Sequence, residues 1–259
     1  MSFFRKSAED TQNQLNECEK NVTNTQKQLQ DITSKLTDCK NSKNNNENIK
    51  GKQQRTSQTT PPSRLTNPCL SSKVGPQNIH LGNNEPFQVL CENSWMIIQR
   101  RLNGNENFNK TWKSYVDGFG SLQGEFFLGL EKLHLITNSQ TYQLCIKVVD
   151  SSNIQYNAYY DYFEIGNSSA YYKLNSVGNL KGSSYNPMRI SEQMVFTTYD
   201  FNNNMPYNCP NTYGGGWWYT QQCHGINLNG PYRSFLYWPT KKQKYIRFKR
   251  VDMKIRPKY

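Results

Sequence analysis

The sequence has 259 residues, enough for one large domain or two smaller ones, and a formal net charge of +12. It contains no run of 18 apolar residues, which excludes a predicted membrane-spanning helix. Its seven cysteines include no Cys-x-x-Cys pair, which argues against a zinc ribbon and against thioredoxin-like redox chemistry.

The first forty residues carry a heptad pattern. Apolar, Thr and Cys positions alternate at spacings of three and four from Phe4 to Cys39. The residues that repeat every seven positions are Leu15, Val22, Leu29 and Leu36. This pattern is typical of a coiled coil, so residues 1–40 are predicted to form a helix that pairs with copies of itself.

Two cysteines, Cys18 and Cys39, lie on the seam of this predicted coil. They are three heptads apart and share the d position. In a parallel coil the same cysteine of two chains meets across the seam, so both are predicted to form interchain disulfides in a homo-oligomer. The alternative is that both are buried thiols that act as small apolar side chains.

Residues 41–66 are predicted to be a flexible linker, because they lack an apolar period and are rich in Asn, Lys, Thr and Pro. Residues 67–259 form the third predicted segment. Its first half predicts a strand at 95–99, helices around 111–116 and 128–136, and strands over 141–150 and 158–166. Strands that adjoin helices, with long loops later, favour an α+β domain built on an antiparallel sheet.

Positive charge is concentrated at the C-terminal end. Residues 233–259 contain ten Lys or Arg residues and one acidic residue. Such a segment could meet sulfated glycans, anionic cell surfaces or nucleic acid. The alternative is a basic face that is simply solvated.

The sequence gives little support to catalysis. Its three histidines are His80, His134 and His224, and it has no P-loop, zincin or nucleophile-elbow motif. Cys223 and His224 are adjacent, but neighbouring side chains on an extended chain point in opposite directions, which disfavours a thiol–imidazole pair. The chain is therefore predicted not to be an enzyme.

Three glycosylation sequons occur, at Asn21, Asn109 and Asn167. Such sites are expected to carry glycans in a secreted protein. The opening residues MSFFRKSAED lack the apolar core of a signal peptide. Either an upstream segment precedes this chain, or the protein stays inside the cell with reduced thiols.

Five stretches together resemble the fibrinogen C-terminal domain family. They are WMIIQRR, NFNKTWKSYVDGFGSLQGEFFLGLEKLHLIT, YDYFEIG, GWWYTQQCHGINLNG and MKIRP. That family includes ficolin and tachylectin lectins and angiopoietin-like proteins, and the resemblance runs from about Cys69 to the C-terminus. It implies a secreted protein with a central antiparallel sheet, short helices and a loop-rich C-terminal binding subdomain, behind a coiled-coil stalk.

The resemblance also implies two disulfides within the domain, Cys69–Cys91 and Cys209–Cys223. Loops of this length stabilise a fold by about 3 kcal/mol each. Cys145, in the predicted strand YQLCIKV, is then left over. It is either a free thiol or an intermolecular link, and we prefer the free thiol.

In lectin-like members of the resembled family, the Cys-His pair shapes a pocket that receives the acetyl group of N-acetylated sugars. By this resemblance the Gln222–Cys223 peptide bond is cis, and the backbone N–H groups of Cys223 and His224 donate to the acetyl carbonyl. A histidine side chain is expected at the edge of the pocket.

Aromatic side chains are expected to wall that pocket by the same resemblance. Tyr213 stands four residues after the first cysteine of the second bridge, as in the family. Trp238 is the expected second wall, with Tyr237 beside it and Tyr245 as a weaker candidate. The loop before Trp238 is shorter than in the family, which leaves the class of ligand open. Trp217 and Trp218 are interpreted as core residues.

The calcium loop of the resembled family is altered in this sequence. The family carries Asp-x-Asp-x-Asp, whereas this chain has Asp200, Asn202 and Asn204. An Asn amide oxygen can bind Ca²⁺ but brings no negative charge. The sequence therefore predicts weak Ca²⁺ binding or none, and no required cofactor.

Two functions follow from the resemblance. The first is a secreted oligomeric lectin that binds acetylated glycans near Cys209–Cys223 in innate immune or extracellular recognition, with a coil that turns weak sites into avidity. The second is an angiopoietin-like ligand that acts on a cell-surface receptor or the matrix through the same end of the domain. In the second, the basic 241–258 segment would hold heparan sulfate. Neither function involves nucleic acid.

Overall fold

The computed structural model describes most of the chain after residue 67 and seven residues before it. The seven are Lys20, Thr23, Gln26, Lys27, Gln30, Thr33 and Ser34. The later ranges are 68–69, 74–81, 84–181, 186–203, 206–232, 235–237 and 245–258. Contacts divide the chain into two units, Met1–Pro61 and Pro62–Tyr259.

The seven described residues of the first unit are all helical and exposed. They are polar positions between the predicted seam residues. The seam itself, including Cys18 and Cys39, lies outside the described residues, as does the 41–66 segment. The coiled coil, its interchain disulfides and the linker therefore stay predictions.

The second unit contains twelve strands and three short α-helices in its described part. The strands are β1 (Gly75–Ile79), β2 (Phe87–Glu92), β3 (Trp95–Arg101), β4 (Phe119–Gly120), β5 (Phe126–Phe127), β6 (Tyr142–Asp150), β7 (Gln155–Tyr160), β8 (Glu164–Ile165), β9 (Leu174–Ser176), β10 (Leu180–Lys181), β11 (Phe235–Tyr237) and β12 (Tyr245–Pro257). The helices are α1 (Trp112–Asp117), α2 (Leu130–Ser139) and α3 (Cys209–Tyr213), and two 3₁₀ turns span Ser168–Ala170 and Arg189–Ser191.

One antiparallel sheet organises the unit. Its main path runs β1–β2–β3–β12–β6–β7–β10, with β11 beside β12 and with β5 beside β3 and β4. The C-terminal strand β12 lies between β3 and β6, where Lys254 is opposite Ile97 on one side and Cys145 on the other. The predicted α+β fold with a central antiparallel sheet is confirmed, since every strand pair in the described part is antiparallel.

The core is built largely from aromatic side chains. Tyr115 on α1 lies 5.0 Å from each of Phe119, Phe127 and Phe196, measured between ring centroids. Phe196 in turn meets Trp218 edge-on at 5.1 Å. Each buried aromatic residue removes about 150–250 Å² of surface from water, so this cluster compensates for the low content of aliphatic residues.

The two longer helices have local reasons to begin and pack where they do. The Thr111 side chain accepts a hydrogen bond from the Ser114 N–H and so caps α1. On α2, Leu130, Leu133 and Ile136 are buried at helical spacing, which places one face of that helix in the hydrophobic core. Leu128, where the helix was predicted to begin, is also buried but precedes the observed helix, and its N–H donates to the Ile98 carbonyl of β3.

The strand predicted over 158–166 is wrong as a single element. The structure has β7 ending at Tyr160 and β8 beginning at Glu164. Asp161 interrupts the strand because both its N–H and its carboxylate bond to the backbone of Asn179. The other four predicted elements are confirmed to within a few residues.

Arg101, one member of a buried ion pair, links β3 to a loop in the C-terminal part of the unit. Arg101 and Glu125 have side chains only 1% exposed, with Nε and Oε1 3.9 Å apart. The guanidinium donates to the carbonyls of Leu228 and Gly230 and lies 4.0 Å from the Phe108 ring centroid. The 228–230 loop, which follows the second disulfide, is thereby fixed to β3.

No helix in the described part of the chain is long and apolar enough to cross a membrane.

Candidate recognition surface around the Cys209–Cys223 disulfide

Both disulfides within the domain are confirmed. Cys69 pairs with Cys91, with Cα atoms 5.3 Å apart, and Cys209 pairs with Cys223, with Cα atoms 5.4 Å apart. The second bridge joins the start of α3 to the turn that carries His224. Cys223 is therefore a structural half-cystine, which removes it as a nucleophile.

One exposed tyrosine precedes helix α3 in the chain and another ends the helix. Asn208 caps the helix by accepting from the Asn211 N–H, and Pro210 occupies its first turn. The helix ends at Gly214, whose φ of 67° is readily adopted only by glycine. Tyr207 precedes the helix and is 61% exposed, and Tyr213 closes it and is 51% exposed.

The prediction of a cis peptide bond before Cys223 is wrong. The Gln222–Cys223 bond is trans, as are the other peptide bonds of the described residues, and Cys223 adopts a left-handed φ of 61°. The trans isomer is lower in energy before any residue other than proline. The chain turns at Gln221 and Gln222 with this trans bond, which brings the Cys223 N–H to the Thr220 carbonyl at 2.9 Å.

Thr220 accepts a hydrogen bond from each of the two backbone N–H groups, those of Cys223 and His224, that were predicted to bind an acetyl carbonyl. The His224 N–H donates to Thr220 Oγ1 at 2.9 Å, and Thr220 Oγ1 donates to the His224 carbonyl at 3.1 Å. With the bond from Cys223, this closes a compact turn and directs its N–H groups inward. The His224 side chain remains exposed.

The Asn-rich stretch after the turn is held in place by side-chain hydrogen bonds to neighbouring segments. Asn227 donates to the Gly214 carbonyl at 2.8 Å and to the Tyr219 hydroxyl at 2.6 Å. Asn229 donates to the Gly216 carbonyl and accepts from Gln99 on β3. Sequence reasoning missed these roles and that of Thr220. An Asn-rich run that precedes Gly is typical of side chains bonded to backbone, so the signal was present.

The expected aromatic walls are placed only in part. Tyr237 is on β11 and is opposite Tyr245 on β12. The side chains of both, and all of Trp238, lie outside the described residues. Their role as walls stays a prediction. Trp217 and Trp218 are fully buried, which confirms them as core.

A second pair of exposed tyrosines lies on the segments that pack beside α1. Tyr171 is 42% exposed and Tyr199 is 38% exposed. The Tyr171 ring lies 5.4 Å from that of Phe201, which contacts Trp112 at 4.2 Å. Thr197 bridges to Trp217, so this segment adjoins the chain that leaves α3.

Residues 72–258 match the family described as fibrinogen beta and gamma chains, C-terminal globular domain. The chain belongs to this fibrinogen C-terminal domain family.

Relatives of this fibrinogen-related domain include proteins of different kinds. Ryncolin-4 of Cerberus rynchops is 38% identical over 183 residues, which are 65% of this chain and 53% of the ryncolin. The fibrinogen-like globe domain of human ANGPTL2 matches with a TM-score of 0.66 and 31% identity, over 76% of this chain and 99% of the globe. Lamprey fibrin D-dimer, in complex with the peptide Gly-His-Arg-Pro-amide, matches with a TM-score of 0.62 and 25% identity, over 97% of this chain and 94% of the lamprey chain.

The calcium loop of this fibrinogen-related domain has a poor donor set for Ca²⁺. Asp200 Oδ1 accepts from the Trp112 N–H at 2.9 Å and from the Thr198 hydroxyl at 2.7 Å, so this carboxylate holds α1 in place. Asn202 is half-buried, and Asn204 lies outside the described residues. One engaged carboxylate with neutral amides does not fit a tight site. Weak or absent Ca²⁺ binding stays a prediction.

The remaining predicted sites fall at the domain surface or in its sheet. Asn109 and Asn167 are exposed, and Asn21 lies outside the described residues, so glycosylation stays a prediction. Cys145 is the cysteine without a disulfide in the described part of the domain, and it is fully buried. This burial supports the free thiol over an intermolecular link.

Proposed function

We propose that this fibrinogen-related domain is a non-enzymatic extracellular recognition module that binds a protein target. Its target site is the surface around α3, here called the α3 surface and defined by Tyr207, Tyr213 and His224. Two disulfides within the domain support an oxidising compartment, where such modules act.

The observation that carries this proposal is the state of the Cys223–His224 turn. Both of its N–H groups already donate to Thr220, so the turn does not offer a donor pair to a small acetyl group. On either side of Cys209 in the sequence, Tyr207 and Tyr213 expose large aromatic side chains. Tyrosine is enriched among the residues that dominate protein interfaces, since its ring buries a large apolar area and its hydroxyl still bonds.

A structural neighbour supports the same class of target. The lamprey fibrin D-dimer was solved with a tetrapeptide ligand, so this fold has bound a peptide in at least one relative. For the present chain, recognition of a peptide segment of a receptor or matrix protein is part of the proposal.

A second candidate function is binding of acetylated glycans. Tyr213 stands four residues after Cys209 and is 51% exposed, and the His224 side chain is also exposed, which supports this candidate. For this function the turn would have to release the His224 N–H from Thr220. That release costs about 1 kcal/mol, which an acetyl ligand would have to offset.

A display-selected peptide and a sugar resin test the two candidates. Peptides are selected from a random phage library on the immobilised full chain, and the tightest is used as the probe. We expect Tyr207→Ala and Tyr213→Ala each to weaken its binding about 30-fold, the size of an interface hot spot. The control, Tyr159→Ala, removes a tyrosine that is 43% exposed on β7 and should leave binding unchanged.

The resin arm uses immobilised N-acetylglucosamine with free acetate as eluant. Retention that acetate reverses and that Tyr213→Ala abolishes, with no peptide recovered, would establish the glycan function in place of the proposed one.

A further inference from the structure

The pairing of β12, β6, β7 and β10 brings together basic residues that are far apart in the sequence. Lys254 on β12 is opposite Cys145 on β6, Cys145 is opposite Tyr159 on β7, and Tyr159 is opposite Lys181 on β10. Residues directly opposite one another point to the same face of a sheet. These four residues therefore form one row across four strands, with a lysine at each end. At about 4.8 Å per strand, the two lysine positions are about 14 Å apart.

Two further cations lie in the neighbouring rows of the same face. Lys147 is two residues from Cys145 on β6, and Arg256 is two residues from Lys254 on β12. Alternation along a strand places residues i and i+2 on one face, about 7 Å apart. The set Lys147, Lys181, Lys254 and Arg256 is called the basic sheet face.

The acidic groups of this face are already neutralised. Asp252 is bound by Arg100 at 2.7 Å and by Arg250 at 2.8 Å. Arg100 also binds Glu92 at 2.8 Å, so two arginines offset two carboxylates. At the edge, Asp161 pairs with Lys258 at 3.7 Å.

The four members of the basic sheet face lie outside the ion pairs of the described residues. Within the described residues, none has a carboxylate oxygen within 4.0 Å of a charged nitrogen. The surface therefore carries four positive charges outside ion pairs in an area roughly 14 Å across.

Aromatic rings support these cations and interleave with them. Trp95 lies beneath two of them, with Arg256 Cζ 4.4 Å and Lys254 Nζ 5.5 Å from its ring centroid. Arg256 Nε donates to Gln143, which orients the guanidinium and leaves its terminal nitrogens open. The Tyr159 ring, 43% exposed, stands between the charged positions and offers an apolar surface to a sugar ring.

Three of these cations also act on the pKa of the buried Cys145 thiol. Burial raises the pKa of Cys145, while Lys254, Lys147 and Arg256 act in the opposite direction through their positive charge. Three cations on two strands therefore converge on one point of the face.

We propose that the basic sheet face binds a sulfated polysaccharide chain of the extracellular matrix. Regularly spaced cations on rigid strands match a linear polymer with repeated anionic groups, and the exposed ring between them suits a sugar better than a lipid headgroup. The inference rests on residues distinct from the α3 surface. The proposed polyanion site is formed by residues of three strands that pairing brings together, and not by the basic 241–258 segment as a whole.

Heparin is the probe, and the full chain is tested in a salt series. The face variant is Lys147→Gln, Lys181→Gln and Lys254→Gln together. Loss of three surface lysines should weaken heparin binding about a hundredfold at fixed salt, at about fivefold for each lysine near an anionic surface. The slope of log Kd against log salt should fall by about three.

Two matched variants separate a site from general electrostatics. The first is Lys110→Gln, Lys113→Gln and Lys173→Gln, which makes the same charge change elsewhere in the domain. The second is Lys241→Gln, Lys242→Gln and Lys244→Gln, which removes the charge of the C-terminal run. If the basic sheet face alone holds the polysaccharide, both should change Kd by about twofold or less in 0.15 M salt, where long-range attraction is largely screened.

A single conservative variant tests the geometry. Arg256→Lys keeps the charge but loses the planar fork and its stacking on Trp95, so it should weaken binding several-fold with an unchanged salt slope. Circular dichroism checks the fold of each variant. Lys181→Gln, an exposed change on a short edge strand, serves as the second variant if the triple face variant does not fold.

Several outcomes would overturn the proposal. One is equal weakening in the face variant and in the first matched variant. Another is loss of binding only when residues 241–244 are changed. A third is displacement of the chain from heparin by duplex DNA or phosphatidylserine vesicles more effectively than by free heparin. Tyr207→Ala and Tyr213→Ala should leave heparin binding unchanged, so failure here and failure at the α3 surface are distinguishable.

Discussion

Glu125 shows how a single buried carboxylate is held in this domain. Its Oε1 accepts from the N–H groups of Leu102, Asn103 and Gly104, and its Oε2 accepts from the N–H of Glu106. Burial by itself would raise the pKa of Glu125, but these four donors hold the pKa below its usual range. Arg101 supplies the nearby positive charge.

We expect Glu125→Gln to lower the free energy of unfolding by about 3 kcal/mol at pH 7, because it leaves the buried Arg101 without its counter-charge. A carboxylate with a lowered pKa in the folded state stabilises the fold above its unfolded pKa, and that contribution is lost as pH falls through the folded pKa. The difference between the variant and the parent chain should therefore shrink below about pH 4.3.

Urea unfolding of both chains at several pH values measures this effect. Glu106→Gln is the matched control. The Glu106 backbone N–H donates to Glu125, which the substitution does not change, and the Glu106 side chain makes only a partly exposed ion pair with Lys110. A control change above about 1 kcal/mol, or a variant difference that grows at low pH, would contradict the account.

Among the elements, the Cys223 turn bears on the ligand that we propose for the α3 surface, because both of its N–H groups are already bonded to Thr220. Thr220 closes the turn with its carbonyl and hydroxyl. The sequence contains the Thr, Cys and His, but the choice between a trans and a cis peptide depends on the partners of their backbone groups, which sequence spacing does not reveal.

We expect Thr220→Val to release the His224 N–H and to lower stability by about 1 kcal/mol, the net value of a typical hydrogen bond. Amide hydrogen exchange should show a faster His224 amide. Thr212→Val, which removes an exposed hydroxyl bond to the Asn208 carbonyl on α3, is the control and should leave that amide unchanged. Unchanged exchange at His224 in Thr220→Val would show that the hydroxyl does not close the turn.

Elements with a strong local pattern could be predicted from sequence. The apolar run of β3, the Thr cap of α1 and the leucine spacing of α2 each identify an element within two or three residues. The 158–166 segment could not be predicted in the same way. Its break at Asp161 depends on a contact with Asn179, eighteen residues away in the chain.

At the scale of the whole molecule, the position of a basic residue in the sheet, more than its position in the sequence, determines whether it belongs to the basic sheet face. The notable basic segment at 233–259 contributes only Lys254 and Arg256 to the basic sheet face, and β6 and β10 supply the others. Such a surface depends on register, which is set by the complete set of strand pairings. The family resemblance identified the fold and both disulfides.

Oligomerisation is the remaining prediction at this scale. We expect the full chain to migrate as a disulfide-linked oligomer on a non-reducing gel and as a monomer after reduction. The double variant Cys18→Ser and Cys39→Ser should migrate as a monomer in both cases, with Cys145→Ser as the unaffected control. A parent chain that migrates as a monomer without reductant would rule out interchain bridges.

The most direct test of the account is amide hydrogen exchange of the full chain with and without the display-selected peptide. If the α3 surface is the recognition site, exchange should slow in residues 206–224, while the strands of the basic sheet face stay unchanged. Protection that is confined to other parts of the chain, with residues 206–224 unaffected, would contradict the central claim.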